Sequence, residues 1–155
     1  MPDIYERMKD ADDETLWDLL LEAEGEERGD VLSWLAMSYI PEREGLPTIA
    51  IAELAIEEYQ KAGVEEFEVD YAFCWATIAE HKAKIGDFNG ALECAVKAQE
   101  LIRANLLNCY DEFKWEMIKW YVMAGRYDEA HIQLVRAITD VRDKAAWDAL
   151  KEEEE

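Results

Sequence analysis

Apolar positions recur along this chain at steps of three and four residues, and nowhere do they alternate with polar ones over the length of a strand. That is the period of helices buried along one face, so the pattern predicts an all-α chain. Leu16, Leu19, Leu20 and Ala23 share a face behind Asp12-Asp13-Glu14, whose carboxylates suit the positive end of a helix expected over about 13–24. Gly25 and Gly29 mark a turn, and Asp30 offers a cap for a helix carrying Leu32, Leu35, Ala36 and Tyr39, stopped near Ile40 by Pro41. Pro47 is placed to open the next helix, with Ile49, Ala52, Ile56 and Tyr59 along one side and Gly63 at its end. A longer helix is expected over 64–85, patterned by Phe67, Tyr71, Cys74, Ile78 and Ile85, closed by a left-handed Gly86. Asp87 then caps a helix whose Leu92, Ala95, Val96 and Leu101 face inward. After a weaker break around 105–111, where Asn108 or Asp111 can cap, Phe113, Met117, Trp120 and Tyr121 pattern a helix up to Gly125. Ala130, Leu134, Ala137 and Ile138 pattern its partner. Thr139-Asp140 is read as the start of a terminal capping helix over about 140–151, with Val141, Ala145 and Leu150 apolar, before an acidic tail at 152–155.

The pattern also repeats on a larger scale. Trp75, Gly86 and Ala91 are spaced 11 and 5 apart; Trp34, Gly45 and Ala50 keep that spacing, and Gly125 and Ala130 keep its second half. Repeated helix pairs bury their apolar faces by stacking, because one pair cannot do so alone. Trp75, Ile78, Ala79, Gly86, Phe88, Ala91 and Ala98 in the middle unit resemble the tetratricopeptide repeat. So do Trp34, Met37, Ser38, Gly45 and Ala50 in the first unit, and Met117, Tyr121, Gly125, Tyr127, Ala130 and Ala137 in the third. The resemblance covers residues 31–140. It departs from the family in its period, 41 and then 39 residues between successive turn glycines, and in Pro41 and Lys82 where the family has Tyr. It implies a short right-handed solenoid of three helical hairpins, over about 31–64, 65–105 and 109–140, with helices at both ends, in a single domain spanning 1–155.

In that family the first helices of each pair line a concave groove for extended or helical peptides. Projected onto this chain, the groove residues are Leu35, Tyr39, Phe73, Ala76, Glu80, Lys84, Trp115, Lys119 and Val122. Family members that bind chaperone tails clamp a terminal carboxylate with Lys, Asn and Arg, and Leu35, Ala76 and Trp115 stand here at key clamp positions instead. A mixed apolar and aromatic groove suits an amphipathic helix or hydrophobic peptide. The same rings also suit packing between repeats, and the sequence leaves both readings open.

Composition changes the picture in two respects. Half the residues are apolar and six are Trp, enough to bury a core, so the acidic chain is not a disordered polymer. The net charge of −21 is uneven: residues 1–70 hold 21 Asp/Glu against 5 Lys/Arg, and residues 71–155 hold 16 against 11. The excess gathers in an acidic face of Glu22, Glu24, Glu26, Glu27, Glu42, Glu44, Glu57, Glu58, Glu65, Glu66, Glu68 and Asp70. Such a field repels nucleic acid and anionic membranes and attracts basic partners; it also keeps an aromatic-rich protein soluble. No run of 18 apolar residues occurs, and the start MPDIYERMKDADDE lacks the basic and apolar regions of a signal peptide. Three dispersed cysteines, Cys74, Cys94 and Cys109, fit free thiols in the cytoplasm better than a disulfide framework.

Candidate chemistry is sparse. Cys74 and His81 share a helix face, and Cys94, Cys109 and His131 can approach them only through the fold; the close CxxC pairs of a zinc site do not occur. The doublets Asp12-Asp13, Glu57-Glu58 and Glu65-Glu66 diverge around a helix rather than converging on a substrate. No nucleophile elbow, phosphate loop or HExxH motif is present, and Gly86–Gly90 is too short to cradle a phosphate. No catalytic residue, metal or cofactor is therefore expected. The sequence points to a non-enzymatic adaptor or chaperone-like module that binds a partner peptide or protein. The alternative is an acidic inhibitor that imitates nucleic acid in a basic cleft, as some viral anti-defence proteins do. Pairing with a second copy through Trp147 on the terminal helix stays open.

Overall fold

The computed structural model describes residues 4–9, 11–38, 41, 45–105 and 110–154. Among them every regular element is a helix, with no strand. Eight helices follow in order: α1 (Ile4–Lys9), α2 (Asp13–Glu22), α3 (Glu26–Met37), α4 (Thr48–Lys61), α5 (Val69–Lys84), α6 (Phe88–Ala104), α7 (Tyr110–Met123) and α8 (Tyr127–Glu154). They form two compact units, Met1–Leu107 and Asn108–Glu155.

Local chemistry sets most of the ends. Asp12 caps α2 by accepting from the Thr15 amide at 2.8 Å, which holds its carboxyl below the usual range. Asp87 caps α6 through the Gly90 amide at 3.0 Å. Gly86 adopts φ +87°, and the Asp87 amide then reaches back to the Lys82 carbonyl at 2.9 Å, closing the last turn of α5. The same bond recurs in the second unit, where Gly125 sits at φ +75° and the Arg126 amide meets the Tyr121 carbonyl at 2.9 Å.

Several expected ends move. Asp30 is no cap: Gly25, at φ +60°, lets α3 start at Glu26, which leaves Asp30 inside the helix and buried. That helix stops at Met37, where the Ser38 hydroxyl donates to the Leu35 carbonyl at 2.6 Å. Tyr39, Ile40, Glu42 and Glu44 lie outside the described residues, as do Asn108 and Cys109. α5 starts at Val69 rather than 64, because residues 64–68 are spent on a turn pinned by Tyr71 Oη to the Val64 carbonyl and Asn105 Nδ2 to the Phe67 carbonyl. Phe67 is therefore exposed, and so is Ile85, one residue past the end of α5. Val96, Leu134 and Ile138, placed on inward faces by the pattern, are exposed as well. Finally, α8 runs unbroken through Thr139-Asp140. The Asp140 carboxylate is engaged by the buried Lys114 at 3.1 Å instead of capping a new helix.

In the first unit α1 packs on α2 and α3, α2 on α3, α3 on α4 and α5, α4 on α5, and α5 on α6. Leu19, Val31, Leu35, Ile56, Tyr59, Cys74, Ile78 and Leu92 fill this core. Ala72, Ala79, Ala91, Ala95 and Ala98 are all but solvent-free, and such small side chains let α5 and α6 approach closely. Ala50, matched to Ala91 by spacing, is exposed; Ala52 and Ala55 take the buried places on α4. In the second unit α7 packs on α8 through Met117, Trp120, Tyr121, Ala130 and Ala137.

Candidate functional site

In the first unit α3 packs against α5 as well as against α4. Cys74 Sγ lies 3.6 Å from Ser33 Oγ, and those residues are 41 apart in sequence, the same interval that separates Trp34 from Trp75 and Gly45 from Gly86. Asp30 and Asp70 face each other one turn earlier on the same two helices, so α3 and α5 run in the same sense. Residues one sequence period apart thus meet across neighbouring helices.

Between them opens a cleft of about 300 Å³. Trp34 and Met37 of α3 and Phe73 of α5 form its apolar walls, with Met8 of α1 alongside; Asp30, Ser33, Tyr59 and Asp70 supply the polar part. Trp34, Met37 and Phe73 are 39–48% exposed, large apolar groups presented at the opening rather than in the core. Asp30 is held from below, accepting from Tyr59 Oη at 2.7 Å, and burial together with that bond pushes the Tyr59 phenol far up. Burial also raises the Asp70 carboxyl, and Asp30, Glu26 and Glu68 add like-charge repulsion in the same direction. No cation or hydrogen-bond donor reaches the Asp70 carboxylate among the described residues.

A second cleft, of about 340 Å³, lies against α4, α5 and α6 and is lined by Ile56, Gln60, Tyr71, Trp75, Lys97 and Glu100 among others. Here the protein supplies its own cation: Lys97 Nζ stands 4.3 Å from the centre of the Trp75 ring.

The acidic face is largely a surface of the first unit. Residues 71–107 carry four Asp/Glu and four Lys/Arg, so the whole net −16 of that unit comes from residues 1–70. Glu22, Glu24, Glu26, Glu27, Glu57, Glu65 and Glu66 are exposed, and Glu58, Glu68 and Asp70 are half-buried. Arg7 pairs with Glu22 at 2.9 Å and Arg28 with Glu58 at 3.7 Å.

The groove residues fare differently from one another. Leu35 is a correction: it is 1% exposed, fixed in the core by its position on the inner side of α3. Phe73 lines the cleft, Ala76 is half-buried, and Glu80 and Lys84 are exposed farther along α5. Trp115, Lys119 and Val122 are exposed on α7, in the other unit. Sequence reasoning passed over Asp30, Ser33, Trp34 and Met37 as cleft residues. Asp30 and Asp70, 40 residues apart and each followed within four positions by an aromatic residue, were the available signal.

Of the candidate chemistry groups, Cys74 and Cys94 are buried free thiols and His131 is exposed. Burial pushes the Cys74 thiol up to about 11 against the opposing hydrogen bond to Ser33, so at neutral pH it is a thiol and not a nucleophilic thiolate. Burial raises Cys94 as well. His81 Nδ1 lies 3.0 Å from the Thr77 carbonyl of its own helix. Among the described residues no group of three or more His, Cys, Asp or Glu side chains is placed to hold a metal ion, and no helix is long and apolar enough to cross a membrane. No known protein family, curated protein or solved structure matches the chain.

Proposed function

We propose that this chain is a non-enzymatic interaction module, a short right-handed tetratricopeptide-like stack of helix pairs that binds a basic partner protein or peptide through the acidic, aromatic-bearing surface of its first unit. The observation that carries the reading is the conjunction at α3 and α5. Exposed Trp34, Met37 and Phe73 lie beside Asp70, within a unit whose described acids outnumber their ion-pair partners. Aromatic anchors ringed by charge are the usual make-up of a specific interface. The repeat reading draws support from Ser33 and Cys74, which touch at one sequence period, and from the matching Gly86 and Gly125 turns. Buried free thiols at Cys74 and Cys94 suit a reducing compartment, and we place the protein in the cytoplasm.

The test is affinity capture followed by rebinding of the purified partner to a Glu57→Lys/Glu65→Lys/Glu66→Lys variant. The expected result is a basic partner whose affinity falls at least about tenfold on charge reversal. A neutral or acidic partner, or one indifferent to the substitutions, would sink the proposal.

The uneven charge favours one further reading, an inhibitor that occupies a nucleic-acid-binding cleft by imitating the phosphate backbone. The two separate by competition. An inhibitor displaces nucleic acid from the captured partner mole for mole, and an adaptor leaves that complex intact.

A further inference from the structure

We infer that the cleft between α3 and α5 receives the cationic side chain of a lysine or arginine presented by the partner, its alkyl stem against Trp34, Met37 and Phe73 and its head at Asp70. This rests on the reading of the first unit as the docking surface for a basic partner. Three observations on the cleft converge. Its walls are aromatic and thioether groups, which hold an alkyl chain and present π faces to a cation. Among the described residues its polar part contains two carboxylates and no lysine or arginine. Finally, the protein covers other rings with its own cations, Lys97 over Trp75, Arg126 over Tyr121 and Lys151 over Trp147, whereas among the described residues none stands over Trp34 or Phe73. A cavity of about 300 Å³ accommodates one such side chain. A cation there also offsets the repulsion that Asp30, Glu26 and Glu68 exert on Asp70.

The experiment titrates the full chain with Nα-acetyl-lysine methylamide, Nα-acetyl-arginine methylamide and the neutral isostere Nα-acetyl-norleucine methylamide, following the Trp34 indole and Met37 methyl resonances by NMR. Saturable shifts with at least one cation, about tenfold tighter than with the isostere, are expected. Asp70→Asn should remove that preference, and Trp34→Leu should weaken both cations about fivefold. Both side chains are partly exposed, so both variants should keep the parent circular dichroism. Equal binding of the isostere, no binding of either cation, or full affinity in Asp70→Asn would overturn the inference. A decalysine peptide separates this from the wider reading. If it binds parent and Asp70→Asn alike, only the cleft assignment falls; if it ignores the parent, the acidic docking surface falls as well.

Discussion

Gly29 has its place because one edge of the Tyr59 ring lies hard against α3. A Cβ built there would stand 2.7 Å from two ring carbons of Tyr59. Gly29→Ala must push the ring aside and withdraw its hydroxyl from Asp30. We expect it to cost roughly 1–3 kcal/mol in denaturant unfolding, with Tyr59→Phe costing about 1–3 kcal/mol through the lost hydrogen bond alone. An unchanged midpoint for Gly29→Ala would mean that α3 and α4 pack otherwise. Asp70 gives a pH signature. Its carboxyl is raised from the ordinary 3.8, so the folded state holds the proton longer than the unfolded chain does. The group therefore adds no penalty in acid, below its unfolded value, and becomes destabilising as pH rises through its folded value. Asp70→Asn should raise the melting temperature at pH about 7, and the gain should vanish below pH about 4. A gain that persists in acid would remove the electrostatic explanation. Cys74 supplies a third check. With Cys94 and Cys109 replaced by Ser, iodoacetamide at pH about 8 should label the native protein at least about 100-fold more slowly than the denatured chain. Rapid native labelling would contradict its burial.

At the scale of elements, helices were legible wherever apolar periodicity was long, and their ends were legible where one residue type dictates the geometry. Gly86 and Gly125 are of that kind. Space around each is open, so an added Cβ meets nothing and the whole cost of Gly86→Ala or Gly125→Ala is the left-handed backbone, roughly 1–2 kcal/mol each. The ends that sequence missed depend on tertiary partners: Asn105 and Tyr71 holding the turn before α5, and Lys114 drawing Asp140 into a continuous α8. Ser38 ended α3 by a local bond that hydropathy does not register. α8 also divides along its length. Ala130 and Ala137 are buried, and every described side chain from Ile138 onward is exposed. An unpacked helical segment of this length is marginal in water. Amide exchange should therefore be fast over 141–151 and slow over 130–137; uniform protection along α8 would show that its outer half is covered.

For the whole molecule, the all-helical class and the charge division were readable from composition and period alone, because both are sums over many residues. The cleft was not. Its walls come from α1, α3, α4 and α5, and the period relating Asp30 to Asp70 acquires chemical meaning only once α3 and α5 lie side by side. Leu35 failed as a groove residue because it was projected from the repeat family, whereas the stripe of Leu32, Leu35 and Ala36 already marked the face of α3 that is buried. As proposed above, the first unit's acidity serves recognition of a basic partner. The direct measurement is the dissociation constant of the captured partner as a function of salt. Affinity should fall steeply and log-linearly with added salt, and charge reversal at Glu57, Glu65 and Glu66 should flatten the slope. An affinity that ignores salt, or an unchanged slope in the reversed variant, would contradict the proposal.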